Sequence, residues 1–462
     1  MSSATVGLLP LYLKLYDDRR PEIRGDFQPF LDLVTAGFKN RGVGVVQSGV
    51  CRLEPEFAVA VRQFEDAGAD IIVTLHLAYS PSLEALGPLA ETPLPILMLD
   101  TTMDYAFGYH VDPARIMYNH GIHGVQDLAS MLRRKGKAFE IVAGHVTESE
   151  VLERAAGIAR AAYGARLFRA TKALRIGESF NGMGDFAIGE VIMHEALGIR
   201  VDQVMADVLT KAAKEVSAED VAEEMERDRQ RFTGDVADDV LERSNRVGLG
   251  LRRYLDKGGY SAFSMNFLAF DRSDGPVNTV PFLEASKAMA RGIGYAGEGD
   301  VLTASLVGAL SRAFGKTTFT EIFCPDWKGG ALFLSHMGEI NPEVAADTPR
   351  LCEKDFPWTD ALNPAVIACA PAPGPAVLVN LAPGPDDSFG LIVAPVDVLG
   401  DTTNPALHDT VRGWIRPRMP LEVFLEQYSC HGGTHHSALV LGERAEAIEA
   451  FAAFANIECV SV

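Results

Sequence analysis

Residues 294–342 read GYAGEGDVLTASLVGALSRAFGKTTFTEIFCPDWKGGALFLSHMGEINP. The first part of this stretch carries a helical pattern over residues 301–314, with Asp300 as the expected N-cap. Beyond about residue 317 the pattern changes to short β-rich runs that are separated by proline and glycine. The stretch therefore marks the passage from an α/β region to a mainly antiparallel β region.

The same stretch holds residue types that bind cations. Glu298 lies in GYAGEGD, Glu321 in FTEIF and His336 in SHMGEINP, and the later motif GGTHHS adds His435 and His436. Carboxylates and imidazoles together suit a hard or borderline divalent cation. Because successive side chains of a strand point to opposite faces, we expect only one of the two adjacent histidines to ligate a metal from a regular strand.

A nucleotide site is one alternative for this region. GIGYAGEG contains G-x-G-x-x-G at Gly292, Gly294 and Gly297, but the residues before it read as the end of a helix rather than as a strand. The pattern indicates a dinucleotide turn only when it follows a strand and opens a helix, so we disfavour this interpretation. Taken alone, Glu298 could also be an ordinary acid in the loop before the helix.

Upstream of this stretch, short apolar runs alternate with helical patterns, as in a mostly parallel sheet covered on both faces. The expected strands up to about residue 170 are VGLLPLYL, VGVVQ, IIVTL, PILML and FEIVAG. Working loops follow the carboxyl ends of such strands, here at residues 14–16, 76–81 and 118–123. Farther along, we interpret the acid-rich helical region at residues 217–255 as a solvated helix face with Ser217 as its cap.

The predicted fold class is α/β with three domains. Two Rossmann-like α/β domains are expected at residues 1–172 and 173–317, and a mainly antiparallel, β-barrel-like domain at residues 318–462. A chain of 462 residues is too long for one core, which agrees with this division. The strands expected in the last domain include ALFLSH, AVIACA, AVLVNL, FGLIVAPV and VRGWIRP.

Composition disfavours several classes of partner. The chain carries 42 Lys and Arg against 62 Asp and Glu, a formal charge of −20, which disfavours nucleic acid and anionic membranes. No apolar run approaches the roughly 20 residues of a membrane span. Six scattered cysteines without a C-x-x-C pair indicate reduced thiols, and the N-terminus lacks a signal-peptide pattern. We therefore expect a cytoplasmic protein.

Four motifs in order resemble those of the L-arabinose isomerases, relatives of the L-fucose isomerases. They are AGEGD at 296–300, the FTEIF glutamate, SHMGEINP at 335–342 and GGTHHS at 432–437. Weaker likeness at LYD, YSP, NHGIHG and the Met183 loop extends the resemblance to all three expected domains. It implies a manganese-dependent aldose–ketose isomerase acting on a small sugar through a metal-stabilised enediolate, with Mg²⁺ or Co²⁺ as alternative metals. It also implies a homo-oligomer, hexameric or tetrameric, with sites near subunit interfaces.

The resemblance further implies roles for individual residues. The implied metal ligands are Glu298, Glu321, His336 and His436. Glu298 and Glu321 also correspond to the acid/base pair, and His435 to a catalytic residue beside the substrate. Implied or expected substrate-binding residues are Lys14, Tyr79, His120, His123, Met183, Phe267 and Phe323.

Several positions depart from the pattern of that family. Leu13 and His120 stand where the family has glutamines, Tyr79 where it has phenylalanine, and Phe323 where it has tyrosine. Because lost hydrogen bonds to sugar hydroxyls are costly for a site built to make them, we expect a substrate other than L-arabinose. Lys14 and the nearby histidines suggest a hexose with an anionic or modified tail, such as sulfoquinovose; the alternative places Lys14 in solvent.

Other functions stay open at this point. A true isomerase of L-arabinose or L-fucose type is one of them. A non-catalytic sugar-binding protein is another, since two α/β domains around a cleft also describe ligand-binding receptors. Such a receptor does not require four residues of metal-binding type. A dehydrogenase would depend on the glycine pattern alone.

Overall fold

The computed structural model describes residues 3–401 and 404–462. Two compact units make up the chain: unit 1 is Met1–Arg166 with Glu446–Phe454, and unit 2 is Leu167–Ala445 with Ala455–Val462. Among the described residues, none of the helices combines the length and the apolar character that crossing a bilayer requires.

Unit 1 contains a five-stranded parallel sheet, in the order β2-β1-β3-β4-β5. All five strands expected from the sequence are present: β1 Thr5–Leu11, β2 Gly44–Gln47, β3 Ile71–His76, β4 Ile96–Asp100 and β5 Phe139–Ala143. The helices are α1 Lys14–Arg19, α2 Pro21–Gly25, α3 Gln28–Asn40, α4 Glu54–Asp66, α5 Ser82–Glu91, α6 Ile116–Asn119, α7 Ile122–Arg134 and α8 Val151–Arg169. Apolar side chains of β1, β3 and β4 pack with those of α4, α5 and α7 in one core.

Unit 2 begins with a four-stranded parallel sheet, in the order β7-β6-β8-β9. Its strands are β6 Lys172–Ile176, β7 Arg200–Val204, β8 Ala262–Met265 and β9 Gly294–Gly297. Its helices are α9 Glu190–Leu197, α10 Leu209–Lys214, α11 Ala218–Arg231, α12 Asp238–Gly258, α13 Phe282–Ala290 and α14 Val301–Phe314. Asp300 caps α14 as predicted, because its Oδ1 accepts a hydrogen bond of 2.9 Å from the Thr303 N–H.

The acid-rich region differs from its interpretation as a solvated face. Ser217 does cap α11, but Glu224 and Asp228 on that helix are buried. Both carboxylates contact the buried ammonium of Lys287 on α13, at 2.9 and 2.5 Å. The prediction of a wholly solvated face is therefore wrong, since a buried cation on a distant part of the sequence makes burial of these acids tolerable.

The C-terminal part of unit 2 forms a closed barrel of six strands. Their order is β14-β17-β10-β11-β16-β15, pairing of β14 with β15 closes the ring, and β18 adds in parallel to β15. These strands are β10 Thr317–Asp326, β11 Ala331–Ser335, β14 Gly374–Pro383, β15 Phe389–Val398, β16 Gly413–Pro417, β17 His436–Leu441 and β18 Glu458–Ser461, and helix α15 Leu421–Cys430 also belongs to this part. Most of the next helix, α16 Ala445–Ala455, belongs to unit 1. The run AVIACA forms a separate two-stranded sheet, in which β12 Arg350–Glu353 pairs with β13 Ala365–Ala368.

These elements confirm the predicted fold class, with two parallel, Rossmann-like sheets followed by a mainly antiparallel barrel. The barrel encloses an aliphatic core from five of its six strands, with additional apolar residues from α15. Its neighbouring strands β17, β10 and β11 carry or directly precede three of the predicted cation-binding residues, His436, Glu321 and His336.

Candidate metal centre

Three of the predicted residues meet because they lie on adjacent barrel strands. Glu321 on β10 pairs directly with His436 on β17 and, on its other side, with Ser335 on β11. His336 follows Ser335 at the end of β11. Antiparallel pairing places directly opposite residues only about 5 Å apart, so the sheet itself brings residues distant in sequence to one place.

Glu298 reaches this place from the central sheet of the same unit. It follows β9 directly and has a φ of 63°, a left-handed conformation that is uncommon for a residue with a side chain. Such a conformation costs on the order of 1–3 kcal/mol and persists only where surrounding contacts hold it. Here the Phe180 N–H donates a hydrogen bond of 2.9 Å to the Glu298 carbonyl.

The ligand atoms form two overlapping groups that share His436. One group is Glu298, His435 and His436, the other is Glu321, His336 and His436, and within each group the ligand atoms lie within 4.8 Å of one another. Nε2 of His436 is 3.5 Å from Oε2 of Glu298, and Nε2 of His336 is 4.0 Å from Oε2 of Glu321. The structure thus brings all five residues of the predicted set into one cluster.

A carboxylate contacts Nδ1 of each histidine in the cluster. Glu339 lies 2.8 Å from Nδ1 of His336, and Asp300 lies 3.0 Å from Nδ1 of His436. His435 has the same arrangement with Asp185, at 2.6 Å. Metal-bound histidines commonly donate their other ring N–H to a carboxylate, which fixes the tautomer and leaves Nε2 free to accept.

Two of the Nε2 atoms are buried without a hydrogen-bond partner among residues 3–401 and 404–462. They belong to His336 and His436, whose side chains are 3% and 0% exposed. Buried polar atoms almost always have a hydrogen-bond partner. Two buried nitrogens that lack one, beside two carboxylates, therefore indicate a binding site for a further group. Imidazole nitrogens and carboxylate oxygens in this number fit a divalent cation such as Mn²⁺.

Electrostatic interactions within the cluster are strong. Burial alone would raise the pKa of Glu298, but contacts with His435 and His436 outweigh it and hold this pKa well below its usual range. For Glu321 burial prevails and raises the pKa. Burial would lower the pKa of His436, yet Asp300 and Glu298 outweigh it and raise the pKa to about 9. A cation would have to displace protons from these nitrogens.

The pair His435 and His436 differs from the expectation for a regular strand. β17 begins at His436, so His435 lies just before the strand. The alternation of side chains between the two faces of a strand therefore does not set the direction of the His435 ring. Nε2 of His435 therefore also approaches Glu298, at 3.6 Å, although its side chain is 30% exposed whereas that of His436 is buried. The alternation of a regular strand therefore does not apply to His435, and the assignment of His436 alone of the two as a metal ligand stays a prediction.

Aromatic rings and one glycine pack closely around the histidines. The ring of Phe319 lies edge-on to His336 and His436, with centroids at 4.7 and 4.9 Å, and Phe186 stacks on His436. A Cβ at Gly297 would lie only 2.6 Å from Cε1 of His336. The third glycine of the G-x-G-x-x-G pattern therefore makes room for a histidine, and the pattern spans β9 rather than a strand-to-helix turn.

The predicted substrate residues of unit 2 lie in different surroundings. Phe267 is buried and packs on Phe180 and Phe356. Met183 belongs to the loop after β6, where its N–H donates to the Phe180 carbonyl. Phe323 is 46% exposed at a β-bulge of β10, two residues after Glu321. Bulges commonly re-aim side chains beside active sites, so Phe323 is well placed to contact a ligand.

The remaining predicted substrate residues belong to unit 1. His120 contacts the hydroxyl of Tyr16 at 3.1 Å, and its ring centroid is 6.0 Å from that of His123. Tyr79 donates to Asp127 at 3.3 Å. Lys14 is exposed, and its Nζ lies 2.7 Å from both carboxylate oxygens of Asp18. Unit 1 thus offers several polar histidine and tyrosine side chains near the carboxyl ends of β1 and β3 and near the start of α7.

Sequence reasoning missed the carboxylates behind the histidines. Asp300 was assigned only as a helix cap, whereas its second oxygen also contacts His436. Glu339 and Asp185 were assigned no role, although Glu339 lies within SHMGEINP and Asp185 follows the Met183 loop. The available signal was an acid two or three residues from a predicted ligand, at 298 and 300 and at 336 and 339.

Comparison with known proteins matches most of the chain to one family. Residues 174–314 match the L-arabinose isomerase central domain, and residues 316–458 match the L-arabinose isomerase C-terminal domain. The L-arabinose isomerase of Nocardioides sp. is 28% identical over 86% of this chain and 81% of that protein. Those of Geobacillus thermodenitrificans and Acidothermus cellulolyticus are 28% and 27% identical, over 85% and 86% of this chain and 81% of each relative. A solved solute-binding protein from Agrobacterium vitis, bound with alpha-D-tagatopyranose, is 11% identical over 68% of this chain and 88% of its own, with a TM-score of 0.17.

Proposed function

The chain belongs to the L-arabinose isomerase family and interconverts an aldose and a ketose, and from this premise we propose that it works with one divalent cation, Mn²⁺ by preference. Glu298, Glu321, His336 and His436 would hold the cation. The observation that supports this most directly is the pair of buried, unpartnered Nε2 atoms of His336 and His436 beside Glu298 and Glu321. Mg²⁺ and Co²⁺ accept similar ligands and are alternative metals.

The reaction moves a proton between two neighbouring carbons of the sugar. When bound, the cation would act as a Lewis acid and stabilise the negative charge that develops on the oxygens of these two carbons. Glu298 and Glu321 are the two carboxylates of the cluster, and a positioned carboxylate can take a proton from one carbon and return it to the next. Groups of this kind contribute about 10²- to 10⁴-fold to a rate.

His435 is the third group that we place in the reaction. Asp185 contacts its Nδ1 at 2.6 Å, which orients Nε2 toward Glu298. Its side chain is 30% exposed, so a sugar oxygen could accept a hydrogen bond from it. We therefore assign His435 to substrate contact and proton transfer rather than to the metal.

The identity of the sugar can also be proposed from the sequence. We propose a sugar other than L-arabinose, because Leu13, Tyr79, His120 and Phe323 depart from the pattern of the family. We assign substrate contact to Lys14, Tyr79, His120, His123, Met183, Phe267 and Phe323. An isomerase of L-arabinose or L-fucose type is the alternative within the family.

The anionic tail of the proposed sugar depends on Lys14. The ammonium of Lys14 already pairs with Asp18, which offsets the charge that a sulfonate, as in sulfoquinovose, would need. Lys14→Ala tests it: KM for an anionic sugar should rise while KM for neutral sugars stays the same. An equal effect on both would remove the anionic tail from the proposal and leave a neutral, modified hexose.

Screening a panel of aldoses and ketoses with added Mn²⁺ tests the proposed function itself. Conversion of at least one sugar, lost on chelation and restored by Mn²⁺, is the expected result. Tight sugar binding without conversion of any sugar would favour the non-catalytic sugar-binding protein. Conversion of L-arabinose faster than all other sugars would favour the true arabinose isomerase.

We also propose three domains, at residues 1–172, 173–317 and 318–462. The two family matches, which change over between residues 314 and 316, agree with the second boundary. A homo-oligomer, hexameric or tetrameric, in the cytoplasm is proposed as well. The absence of a C-x-x-C pair among the six cysteines of the sequence agrees with a reducing compartment, and light scattering of the purified protein would measure the oligomer.

A further inference from the structure

The backbone turn that carries Glu298 is held at each of its carbonyl oxygens. The hydroxyl of Ser264 donates to the carbonyls of Ala296 and Gly297, at 2.7 and 3.0 Å. The Phe180 N–H donates to the Glu298 carbonyl at 2.9 Å. Nε of Arg175 donates to the Gly299 carbonyl at 3.1 Å. Four successive peptide groups are thus fixed from β8, from β6 and from the loop after β6.

Arg175 is the charged member of this group, and it is buried at 5% exposure. Its Nη1 contacts Glu190 at 3.2 Å and Gln203 at 3.3 Å, whereas its Nη2 is buried and has no hydrogen-bond partner within the part of the chain that the structure describes. Burying a guanidinium that is only partly satisfied is expensive. Because burial of the Arg175 guanidinium is unfavourable in itself, its contact with the neighbouring turn explains its position better than a contribution to stability does.

The turn itself requires such support. Glu298 and Gly299 both have a positive φ, at 63° and 88°, and a Cβ at residue 299 would lie 2.7 Å from the carbonyl oxygen of Glu178. Strained backbone of this kind persists only when several contacts fix it. Asp300, whose carboxylate contacts His436, follows directly and interacts with the charge of Arg175.

We propose that Arg175 is a positioning residue for the metal centre: its guanidinium holds the Gly299 carbonyl and so fixes the turn that directs the Glu298 carboxylate toward His435 and His436. This inference rests on the proposed function, because it takes Glu298 to be a metal ligand. Arg175 acts through the backbone of the turn and is not itself placed on the metal or the sugar.

Replacing Arg175 by methionine keeps most of the side-chain length and removes the donors. The measurement is calorimetric titration of the metal-free protein with Mn²⁺, together with its thermal unfolding. We expect the Kd for Mn²⁺ to rise about tenfold or more, the usual effect of losing a group that orients a ligand. Arg175→Lys, which keeps the charge and can reach one acceptor, should give a Kd between the two.

Arg243 provides a matched control in the same unit. Like Arg175 it donates to a backbone carbonyl, with Nε and Nη2 both bonded to that of Asn363. Its side chain is 14% exposed and starts from α12, and the carbonyl that it holds is not part of the turn that carries Glu298. Arg243→Met should lower the unfolding temperature without changing the Kd. A purely structural role of Arg175 predicts the same result for both methionine variants.

The outcomes separate this inference from the proposed function. Wild-type binding with an unchanged Kd in Arg175→Met overturns the positioning role and leaves the metal centre intact. Should the methionine variant fail to fold, a wild-type Kd in Arg175→Lys overturns it in the same way. A wild-type protein that binds no Mn²⁺ overturns the metal centre and this inference with it.

Discussion

Oε2 of Glu339 lies 2.8 Å from Nδ1 of His336, and the opposite ring nitrogen of the same histidine is buried with no hydrogen-bond partner among the described residues. Glu339 is itself completely buried, and it also accepts a hydrogen bond of 2.6 Å from the Tyr295 hydroxyl. One nitrogen of His336 is therefore fixed while the other remains free to bind. Because Asp300 stands in the same relation to His436, the two histidines form a matched pair.

Glu339→Gln should weaken metal binding without unfolding the protein. The amide is similar in size but lacks the negative charge that makes the imidazole a better ligand, so we expect the Kd for Mn²⁺ to rise by about 10- to 100-fold. Calorimetric titration measures it. Glu343→Gln is the control, since Glu343 lies four residues later in an exposed ion pair with Arg231. Equal Kd values for the two variants would contradict the role of Glu339.

Gly297→Ala should disturb the centre through size alone. The added Cβ would lie 2.6 Å from Cε1 of His336, so the imidazole must move away from Glu321 and His436. We expect loss of Mn²⁺ affinity and a destabilisation of about 1–3 kcal/mol from overpacking. Gly390→Ala on β15 is the control, because that position has no heavy atom within 4 Å of the added Cβ. An unchanged Kd in Gly297→Ala would show that the histidine does not need its present position.

Glu298→Gln and Glu321→Gln should each abolish turnover in a protein that remains folded. We expect a loss of at least about 10²-fold, the lower range for a positioned acid or base. Reaction in D₂O adds a second readout, because a proton carried by a carboxyl group exchanges with solvent. Deuterium should appear at C1 or C2 of the sugar with the wild-type enzyme. Complete retention of substrate hydrogen would indicate hydride transfer and contradict the proposed proton carriers.

Because of His76, the free energy of unfolding should decrease at acidic pH. Burial lowers the pKa of His76 to about 3, against about 6.5 in an unfolded chain, while Asp127 acts weakly in the opposite direction. Between these values the unfolded chain binds a proton that the folded protein does not, so stability falls as pH drops from about 6.5 toward 3.

The test compares thermal unfolding at pH 7 and pH 5. His76→Leu should lose less stability on acidification than the wild type, although it starts lower because the packing against Gly121 and Gly124 changes. His110→Leu, at an exposed position, should behave like the wild type. The same acid sensitivity in all three proteins would show that His76 is not the group responsible.

Much of the fold could be predicted from apolar runs, but polar strands could not. Three strands of unit 1, β1, β3 and β4, are recognisable because they are buried on both faces and read as continuous apolar sequence. β7 has the sequence RVDQV and is partly exposed, so it carries no such pattern and was missed. β12, with the sequence RLCE, is equally inconspicuous.

The residues of the candidate site could also be predicted only in part. Short motifs predicted Glu298, Glu321, His336, His435 and His436 as one set, and the structure brings these five residues together. Their assignment as metal ligands and catalytic groups stays a prediction. The partners behind them could not be assigned, since a contact such as Asp185 to His435 joins residues 250 positions apart and depends on how two sheets pack. For the same reason Arg175 carried no signal: its contact with Gly299 joins the end of β6 to the turn after β9.

The metal content of the purified protein tests the central claim most directly. After removal of metal and titration with Mn²⁺, the account predicts close to one ion per chain in the wild type and none in the double variant His336→Ala, His436→Ala, whose circular dichroism should remain that of a folded protein. A folded double variant that still takes up one Mn²⁺ with the affinity of the wild type would contradict it.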